Sequence, residues 1–273
     1  MPGAPKTIFI TGTSTGIGHA AVMRFADRGW HVFAGSRHPE KLSFAHPRVT
    51  PVQIDVTDTG SIAAAFSTID THAGTLDAAV NNAGYGLLLP FEDTSSQNIE
   101  AIFRANVFGL MEVSRHAIRR MRDQGRGVIV NVSSILGTVG TPFYAAYCAT
   151  KWAVEGFSEA LLHEVAGFGV RVKIVEPSGT KTEFHKQAYA TENVSITEAY
   201  RAFYEHKKTS RFKAMQSYES PETIAALIEQ AVLDPSLRLR YGVREVQRIA
   251  WLQRLLGRDG AWKVWHKRYG PRR

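Results

Sequence analysis

Short apolar runs alternate along the chain with segments in which apolar residues recur at helical spacing. Strands are predicted at 7–11, 31–35, 49–56, 76–80, 127–134, 170–175 and 237–241. Helices are predicted from Ile17 to Gly29, at 59–72, 95–123 and 145–166, and from Ser220-Pro221 to about Leu233. Strands that are apolar throughout and separated by helices indicate a parallel sheet covered on both faces. Right-handed crossovers then predict a doubly wound, Rossmann-like α/β fold.

No repeat, low-complexity block or linker interrupts the chain before about residue 178. We therefore expect a single domain over 1–242, with an aromatic-rich segment at about 183–219 covering a substrate pocket. Residues 243–273 form a basic C-terminal extension.

Composition narrows the class of protein. Of 273 residues, 44% are hydrophobic and 21% are charged, as in soluble globular proteins. No apolar run approaches the roughly 18 residues that a membrane span needs. The single cysteine, Cys148, excludes an intramolecular disulfide and favours a reducing, cytoplasmic location. No Cys/His cluster has metal-ligand spacing, so no metal is expected.

The positive charge lies in the tail. The net charge is +8, and residues 238–273 hold eleven Lys/Arg against two acids. The body, with 22 basic and 23 acidic residues, is nearly neutral. This balance argues against a nucleic-acid-binding body and leaves the tail as a contact surface.

A glycine-rich segment, T-G-T-S-T-G-I-G at 11–18, follows the first strand and opens the first helix. In that context Gly12 permits a tight turn, and Gly16 and Gly18 allow backbone to approach a phosphate. The helix N-terminus then faces a pyrophosphate with free N–H groups. The segment predicts a dinucleotide site; the alternative is a turn that simply needs glycine.

The end of the second strand predicts which dinucleotide binds. A carboxylate that binds the adenosine ribose is expected about 20 residues after the glycines. Here the strand ends in Gly35-Ser36-Arg37, without a carboxylate. An arginine pairs with a 2′-phosphate, so we expect NADP(H) rather than NAD(H). The alternative is a solvated Arg37 in a turn.

Other polar residues fall at strand ends on the same edge of the sheet. Asp55, in I-D-V-T-D, is placed to accept a hydrogen bond from the adenine amino group. The segment Asn81-Asn82-Ala83-Gly84 follows the fourth strand and is expected to line the cofactor crevice, because ligands of such sheets bind beyond the carboxyl ends of the strands.

Tyr147 and Lys151 form a candidate acid/base pair in Y-C-A-T-K. Positions four apart share one face of a helix. A neighbouring ammonium favours the phenolate and lowers the tyrosine pKa from about 10. Ser134, thirteen residues before the tyrosine, is placed to hold a substrate oxygen. Alone, this spacing is typical of a surface pair.

The ordered set of motifs resembles the short-chain dehydrogenases/reductases in their shorter, classical form. It comprises the glycine segment, Asp55, N-N-A-G at 81–84, Asn106 in R-A-N-V-F-G, S-S at 133–134, Y-C-A-T-K at 147–151 and P-S-G-T-K-T at 177–182. The G-S-R segment and the later aromatic residues resemble the branch that contains 17β-hydroxysteroid and retinol dehydrogenases. Ser178 departs from the glycine that usually follows the proline.

The resemblance implies a seven-stranded parallel sheet and hydride transfer between a nicotinamide and a carbonyl/alcohol pair. It makes Tyr147 the general acid or base and Lys151 the group that lowers its pKa and holds the nicotinamide ribose. Ser134 then binds the substrate oxygen, Asn106 positions Lys151 through a water, and Thr182 contacts the nicotinamide amide. It also implies a homodimer or homotetramer built through the helices at 95–123 and 145–166.

The expected site residues are these. The cofactor is expected to contact Gly12, Ser14, Thr15, Gly16, Ile17, Gly18, Ser36, Arg37, Asp55, Val56, Asn82, Ala83, Gly84, Tyr147, Lys151, Pro177, Gly179 and Thr182. The substrate is expected to contact Ser134, Tyr147, Phe143 and Leu87, and Leu88 and Tyr144 are expected to line the same pocket. This apolar wall favours a lipophilic carbonyl or alcohol, such as a steroid, a retinoid or an aromatic ketone. Alternatively, the aromatic residues only pack the loop onto the core.

The tail combines its basic residues with Trp251, Trp262 and Trp265. A basic amphipathic helix with tryptophan is typical of peripheral membrane contact; the alternative is a helix packed on its own body. Besides an NADP(H)-dependent oxidoreductase, two functions stay open: a cofactor-binding sensor without turnover, and a membrane-associated interaction protein.

Overall fold

The computed structural model describes residues 5–182, 194–214 and 218–269. They form a parallel sheet of seven strands in the order β3-β2-β1-β4-β5-β6-β7. The strands are β1 Thr7–Thr11, β2 His31–Ser36, β3 Val49–Gln53, β4 Ala78–Asn81, β5 Gly127–Val132, β6 Val170–Glu176 and β7 Arg240–Gly242. The strand order reverses between β1 and β4, which is where such sheets open a ligand crevice. The predicted doubly wound fold is confirmed.

Helices cover both faces of the sheet. They are α1 Gly16–Asp27, α2 Thr59–His72, α3 Ser96–Phe103, α4 Leu110–Gln124, α5 Ala145–Val165, α6 Glu198–Ala214, α7 Pro221–Leu233 and α8 Arg244–Tyr269. Side chains of α1 and α7 pack with Ile8 and Ile10 on one face. Those of α2, α4 and α5 pack with Phe9 and Phe33 on the other. Successive residues of β1 thus face opposite cores, as the pleat requires.

The predicted helix at 95–123 is interrupted. A turn of π-helix, Arg104–Gly109, joins α3 to α4. Gly109 lies within it because a Cβ there would stand 2.3 Å from the Val56 carbonyl oxygen. Such turns occur often at functional sites, and this one carries Asn106.

The third and the last strands differ most from their predicted bounds. The third strand ends at Gln53 rather than at 56. The last strand is Arg240–Gly242 rather than 237–241. Lys173 Nζ donates to the carbonyl oxygens of Ser236 and Arg238, at 2.6 and 2.8 Å. The Lys173 side chain therefore occupies carbonyl oxygens that a longer strand would use as hydrogen-bond acceptors within the sheet.

Helix α8 packs on the body through one face. Val246, Ile249 and Ala261 are buried. Gln253 Nε2 donates to the Thr138 carbonyl at 3.1 Å, and Trp265 Nε1 donates to the Gly140 carbonyl at 2.7 Å. The helix bends at Gly257, whose φ of 69° is not helical. The tail thus contacts the loop that follows Ser134.

Candidate active site

A cavity of about 1160 Å³ opens at the carboxyl ends of the strands. Most of the residues expected from the sequence line it. They are Gly12, Ser14, Thr15, Gly16, Ile17, Ser36, Arg37, Asp55, Val56, Asn82, Ala83, Gly84, Ser134, Tyr147, Lys151, Pro177, Gly179 and Thr182. Gly18, Asn106, Leu87 and Phe143 are not among its lining residues. One cavity therefore joins the expected cofactor and catalytic groups.

The glycine turn leaves no room for side chains. Gly12 has φ +70°, and a Cβ there would lie 2.7 Å from the Ala83 Cα. A Cβ at Gly18 would lie 2.2 Å from the Gly12 carbonyl oxygen. Asn82 Nδ2 donates to that same oxygen at 3.0 Å. Gly18 therefore acts by close packing behind the turn rather than by facing a ligand.

The N-terminus of α1 fits the pyrophosphate of a dinucleotide. Within the described structure the Thr15 side chain makes no capping hydrogen bond, and the first turn holds no acidic residue. The first N–H groups thus remain available to an anion beside Gly12, Ser14 and Gly16, which line the cavity. The cradle therefore suits a phosphate group that backbone can approach.

Thr11 was missed by the sequence reasoning. Its Oγ1 accepts hydrogen bonds from the backbone N–H groups of Asn82 and Ala83, both at 3.1 Å. These two hydrogen bonds hold the segment after β4 next to the glycine turn. Threonine at a strand end is common, so its sequence position gave no signal.

Asn81 does not line the crevice as expected. It is buried, and its Nδ2 donates to Ser114 Oγ at 2.9 Å and to Asn131 Oδ1 at 2.8 Å. Asn131 in turn donates to Ser158 Oγ at 2.8 Å. The Asn81 side chain leaves the sheet on the side of α4 and α5, because residues of a strand alternate between faces. Asn82, the next residue, faces the turn.

The end of the cavity beside β2 is basic. Arg37 is exposed and lines the cavity together with His38 and Lys41. Ser36 Oγ accepts a hydrogen bond from the His38 N–H at 3.1 Å. These groups follow β2, where the sequence predicts contact with the adenosine ribose.

Asp55 lies beside these basic groups as a fixed acceptor. Burial raises its pKa, but hydrogen bonds from Thr57 and the charge of Arg37 lower it more, so the pKa falls below its usual value. Asp55 Oδ1 accepts from Thr57 N at 2.8 Å and from Thr57 Oγ1 at 2.7 Å. The carboxylate is therefore ionised and held in place at the cavity wall.

Tyr147 and Lys151 lie on one face of α5, as predicted. Lys151 Nζ is 5.8 Å from the centroid of the Tyr147 ring. It donates to the Val132 carbonyl oxygen at 2.9 Å. Burial lowers the pKa of Lys151 to about 8, against the opposing effect of Glu155. The ammonium is thus a buried cation beside the phenol.

Ser134 faces the same space from the end of β5. Its Oγ accepts a hydrogen bond from the Leu136 N–H at 3.2 Å, which fixes the hydroxyl. Ile135 N–H donates to the Pro177 carbonyl at 2.8 Å, so the Ser134 turn is joined to the segment after β6. Accepting this bond uses a lone pair and leaves the O–H proton to donate.

Asn106 is a buried side chain that connects two segments of the site. It is 1% exposed. Its Oδ1 accepts from the Tyr85 N–H at 3.0 Å, while Nδ2 donates to the Tyr85 carbonyl at 2.9 Å and to Thr150 Oγ1 at 3.2 Å. The side chain therefore joins the segment after β4 to α5 at the residue before Lys151.

The substrate wall differs from the prediction at two residues. Phe143 and Leu87 are buried. The Phe143 ring packs against Phe203 and Tyr204 of α6, with centroids 4.9 and 5.4 Å apart. Packing against α6, which the sequence could not place, therefore turns Phe143 into the core. Of the expected pocket residues, Leu88 and Tyr144 line the cavity, together with Leu136 and Trp265, which the sequence analysis did not name.

Parts of the expected substrate loop lie outside the described residues. These are 183–193 and 215–217, which include Phe184, His185 and Tyr189. From the described part, α6 contributes Lys207, Ser210 and Ala214 to the cavity wall.

No described helix is both long and apolar enough to cross a membrane.

Comparisons with known proteins show which family the chain resembles. Residues 6–193 match the model of the short chain dehydrogenase family. The oxidoreductase BOA17 of Botryotinia fuckeliana is 35% identical over 250 residues, which cover 89% of this chain and 90% of that protein. The 3-ketodihydrosphingosine reductase of Bacteroides thetaiotaomicron is 34% identical over 195 residues, or 71% of this chain and 69% of that protein. A solved structure of ElxO with NADP bound has a TM-score of 0.72 at 26% identity, covering 88% of this chain and 98% of that chain.

The chain belongs to the short chain dehydrogenase family. It is an oxidoreductase of the type that acts on an alcohol and carbonyl pair.

Proposed function

We propose that the protein reduces a lipophilic carbonyl compound with NADPH, or oxidises the corresponding alcohol with NADP⁺. The convergence of Tyr147, Lys151 and Ser134 on the cavity that also contains the glycine turn supports this proposal most strongly. A phenol, a buried ammonium and a fixed hydroxyl there share one space with a phosphate cradle.

Each group has a distinct task in this proposal. When bound, the cofactor supplies the hydride, while the protein supplies position and a proton. Tyr147 donates the proton to the carbonyl oxygen, and Ser134 holds that oxygen as negative charge develops on it. Lys151 stabilises the phenolate that remains, because an adjacent cation lowers the pKa of a phenol.

The preference for NADP(H) rests on the end of β2. Arg37, His38 and Lys41 line the cavity there, and a guanidinium pairs well with a phosphate. The NADP bound to ElxO is consistent with this proposal. We infer that Arg37 contacts the 2′-phosphate.

The substrate is proposed to be lipophilic because apolar side chains line the cavity near Tyr147. Leu88, Leu136 and Tyr144 come from segments that follow β4 and β5. The similarity to a protein named 3-ketodihydrosphingosine reductase supports the same class of substrate. Steroid, retinoid and aromatic ketones belong in the same test panel.

The decisive experiment follows NADPH oxidation with a panel of lipophilic ketones and aldehydes. Tyr147→Phe is expected to keep NADPH binding and to reduce turnover by roughly 10²–10⁴-fold, since it removes the proton donor alone. A sensor without turnover would bind NADPH and oxidise none of it in the wild type. Wild-type turnover in the Phe variant would refute the role of Tyr147.

We further propose a homodimer or homotetramer assembled through α4 and α5. Phe108, in the π-helical turn before α4, is 60% exposed. Trp152 of α5 is 40% exposed. Exposed aromatic side chains of this kind favour an interface. Light scattering after size-exclusion chromatography measures the assembly.

The outer face of α8 is proposed to contact an anionic membrane surface. Trp251 and Leu255, one helical turn apart, are 62% and 63% exposed. Arg244, Arg248 and Arg254 belong to the same turns of the helix. Tryptophan and leucine among cations are typical of helices that bind anionic lipid.

A further inference from the structure

Three carboxyl groups meet one guanidinium beneath the active site. Arg240 Nε lies 3.0 Å from Glu155 Oε2 and 3.6 Å from Glu176 Oε1, and Arg240 Nη2 lies 2.6 Å from Glu159 Oε1. The side chains of Glu155 and Glu176 are 8% and 4% exposed. With one cation for three carboxyls, full ionisation would leave excess negative charge in a buried place.

Within this cluster Glu155 makes the shorter of the two buried contacts with Arg240. It accepts a direct hydrogen bond from Arg240 Nε at 3.0 Å. Burial raises the pKa of Glu155 above its usual value, and the charge of Arg240 only partly opposes this effect. Glu176 has the longer contact, and burial followed by the charge of Glu155 raises its pKa to about 7. Of the two buried carboxyls, Glu155 is therefore the one that the guanidinium holds more closely.

Glu155 also contacts the catalytic elements. It lies four residues after Lys151 on α5, and positions four apart face the same side of a helix. A Cβ at Gly137 would lie 3.2 Å from Glu155 Oε1 and 2.6 Å from Ser133 Oγ. Glu155 thus packs against the turn that Ser134 begins, with no space for a further side chain between them.

We propose that Glu155 is a positioning residue for the reaction, whose carboxylate, held by Arg240, keeps the ammonium of Lys151 charged within the buried site. This inference rests on the proposed function, in which Lys151 acts as a cation. Lys151 is 7% exposed, so it has little water to stabilise its charge. An anion one helical turn away stabilises that charge through space.

The charged groups around Glu155 come from three elements. Lys151 and Glu159 lie on α5 itself, Glu176 ends β6, and Arg240 begins β7. Glu159 shares Arg240 with Glu155 but is two turns from Lys151 and exposed at 56%. Glu159 therefore offers a matched control: the same chemical change, on the same arginine, farther from the lysine.

The test compares the pH dependence of kcat/KM for carbonyl reduction in Glu155→Gln and Glu159→Gln. In this proposal, reduction requires Lys151 in its ammonium form. Glu155→Gln replaces the carboxylate that stabilises this ammonium with a neutral amide. The alkaline limb of the Glu155→Gln profile should therefore move to lower pH, by roughly one unit. The Glu159→Gln limb should stay close to the wild type.

NADPH affinity, measured by fluorescence titration from pH 6 to 9.5, provides a readout that needs no turnover. The affinity of Glu155→Gln should begin to fall at lower pH than that of the wild type, because Lys151 is proposed to hold the ribose as a cation. Glu155→Asp keeps the charge, so both of its profiles should follow the wild type even if Glu155→Gln folds poorly.

Each outcome decides one question. Wild-type turnover with coincident alkaline limbs in wild type and Glu155→Gln would overturn the role of Glu155 and leave the proposed function intact. A shift in Glu155→Asp or Glu159→Gln as large as that in Glu155→Gln would also overturn it. Absence of turnover in the wild type would overturn the proposed function instead, and the NADPH titrations would then decide the role of Glu155.

Discussion

Replacement of Glu176 by glutamine should stabilise the protein at alkaline pH. Glu176 ends β6, and burial is the main reason that its pKa rises from 4.5 to about 7. The charge of Glu155 raises it as well, and Arg240 only partly opposes these effects. Between pH 4.5 and about 7, the Glu176 carboxyl therefore keeps its proton in the native state, whereas the unfolded chain has already released it.

The sign and the magnitude follow from that difference. The stability contributed by a carboxyl with a raised pKa is complete below the unfolded value and is lost as pH rises through the folded value. A difference of roughly 2.5 pH units corresponds to about 3 kcal/mol. Glu176→Gln, which cannot ionise, escapes this loss. It should lie within about 1 kcal/mol of the wild type near pH 5 and exceed its unfolding free energy by about 3 kcal/mol near pH 9.

Urea denaturation followed by circular dichroism at pH 5, 7 and 9 measures the difference. Glu159→Gln serves as the control, since an exposed ion pair with the same arginine contributes about 0–1 kcal/mol. A stability difference between Glu176→Gln and wild type that does not change with pH would refute the reasoning. So would a wild type that gains on the variant as pH rises.

Three further outcomes test other parts of the structure. Arg37→Ala should lower kcat/KM with NADPH by roughly 10-fold or more while sparing NADH, because a charge-assisted bond to a phosphate contributes about 1.5–3 kcal/mol; equal losses with both cofactors would contradict it. Gly18→Ala should abolish cofactor binding, because the new Cβ would lie 2.2 Å from the Gly12 carbonyl oxygen. The control Gly156→Ala has open space around the new Cβ, so it should be tolerated or stabilise the protein by up to about 1 kcal/mol. Trp251→Ser with Leu255→Ser should abolish flotation with phosphatidylserine vesicles at unchanged thermal stability; retained flotation would end the membrane proposal.

The motif residues could be predicted from the sequence because the position of each one is determined by residues close to it in the chain. A glycine turn between a strand and a helix, and a tyrosine four residues before a lysine, bring their groups to one edge of any parallel sheet. Ser134, Tyr147 and Lys151 therefore line the same cavity, as expected.

Side-chain directions at the substrate end could not be read in this way. Phe143 and Leu87 follow strand ends like the motif residues, but helix α6 draws the Phe143 ring into a cluster with Phe203 and Tyr204. The position of α6 depends on long-range packing. Its contacts therefore leave no periodic signal near residue 143.

The sequence by itself determined the order of strands and helices, the phosphate cradle and the acid/base pair. These features arise from hydrogen bonds and steric limits within a few residues of the backbone. Only the tertiary structure brought Glu155 and Glu176 to Arg240, which is 85 residues beyond Glu155 in the chain. The sheet places β6 next to β7 and beneath α5. Charged residues that are ordinary in sequence become a buried cluster because folding removes the water between them.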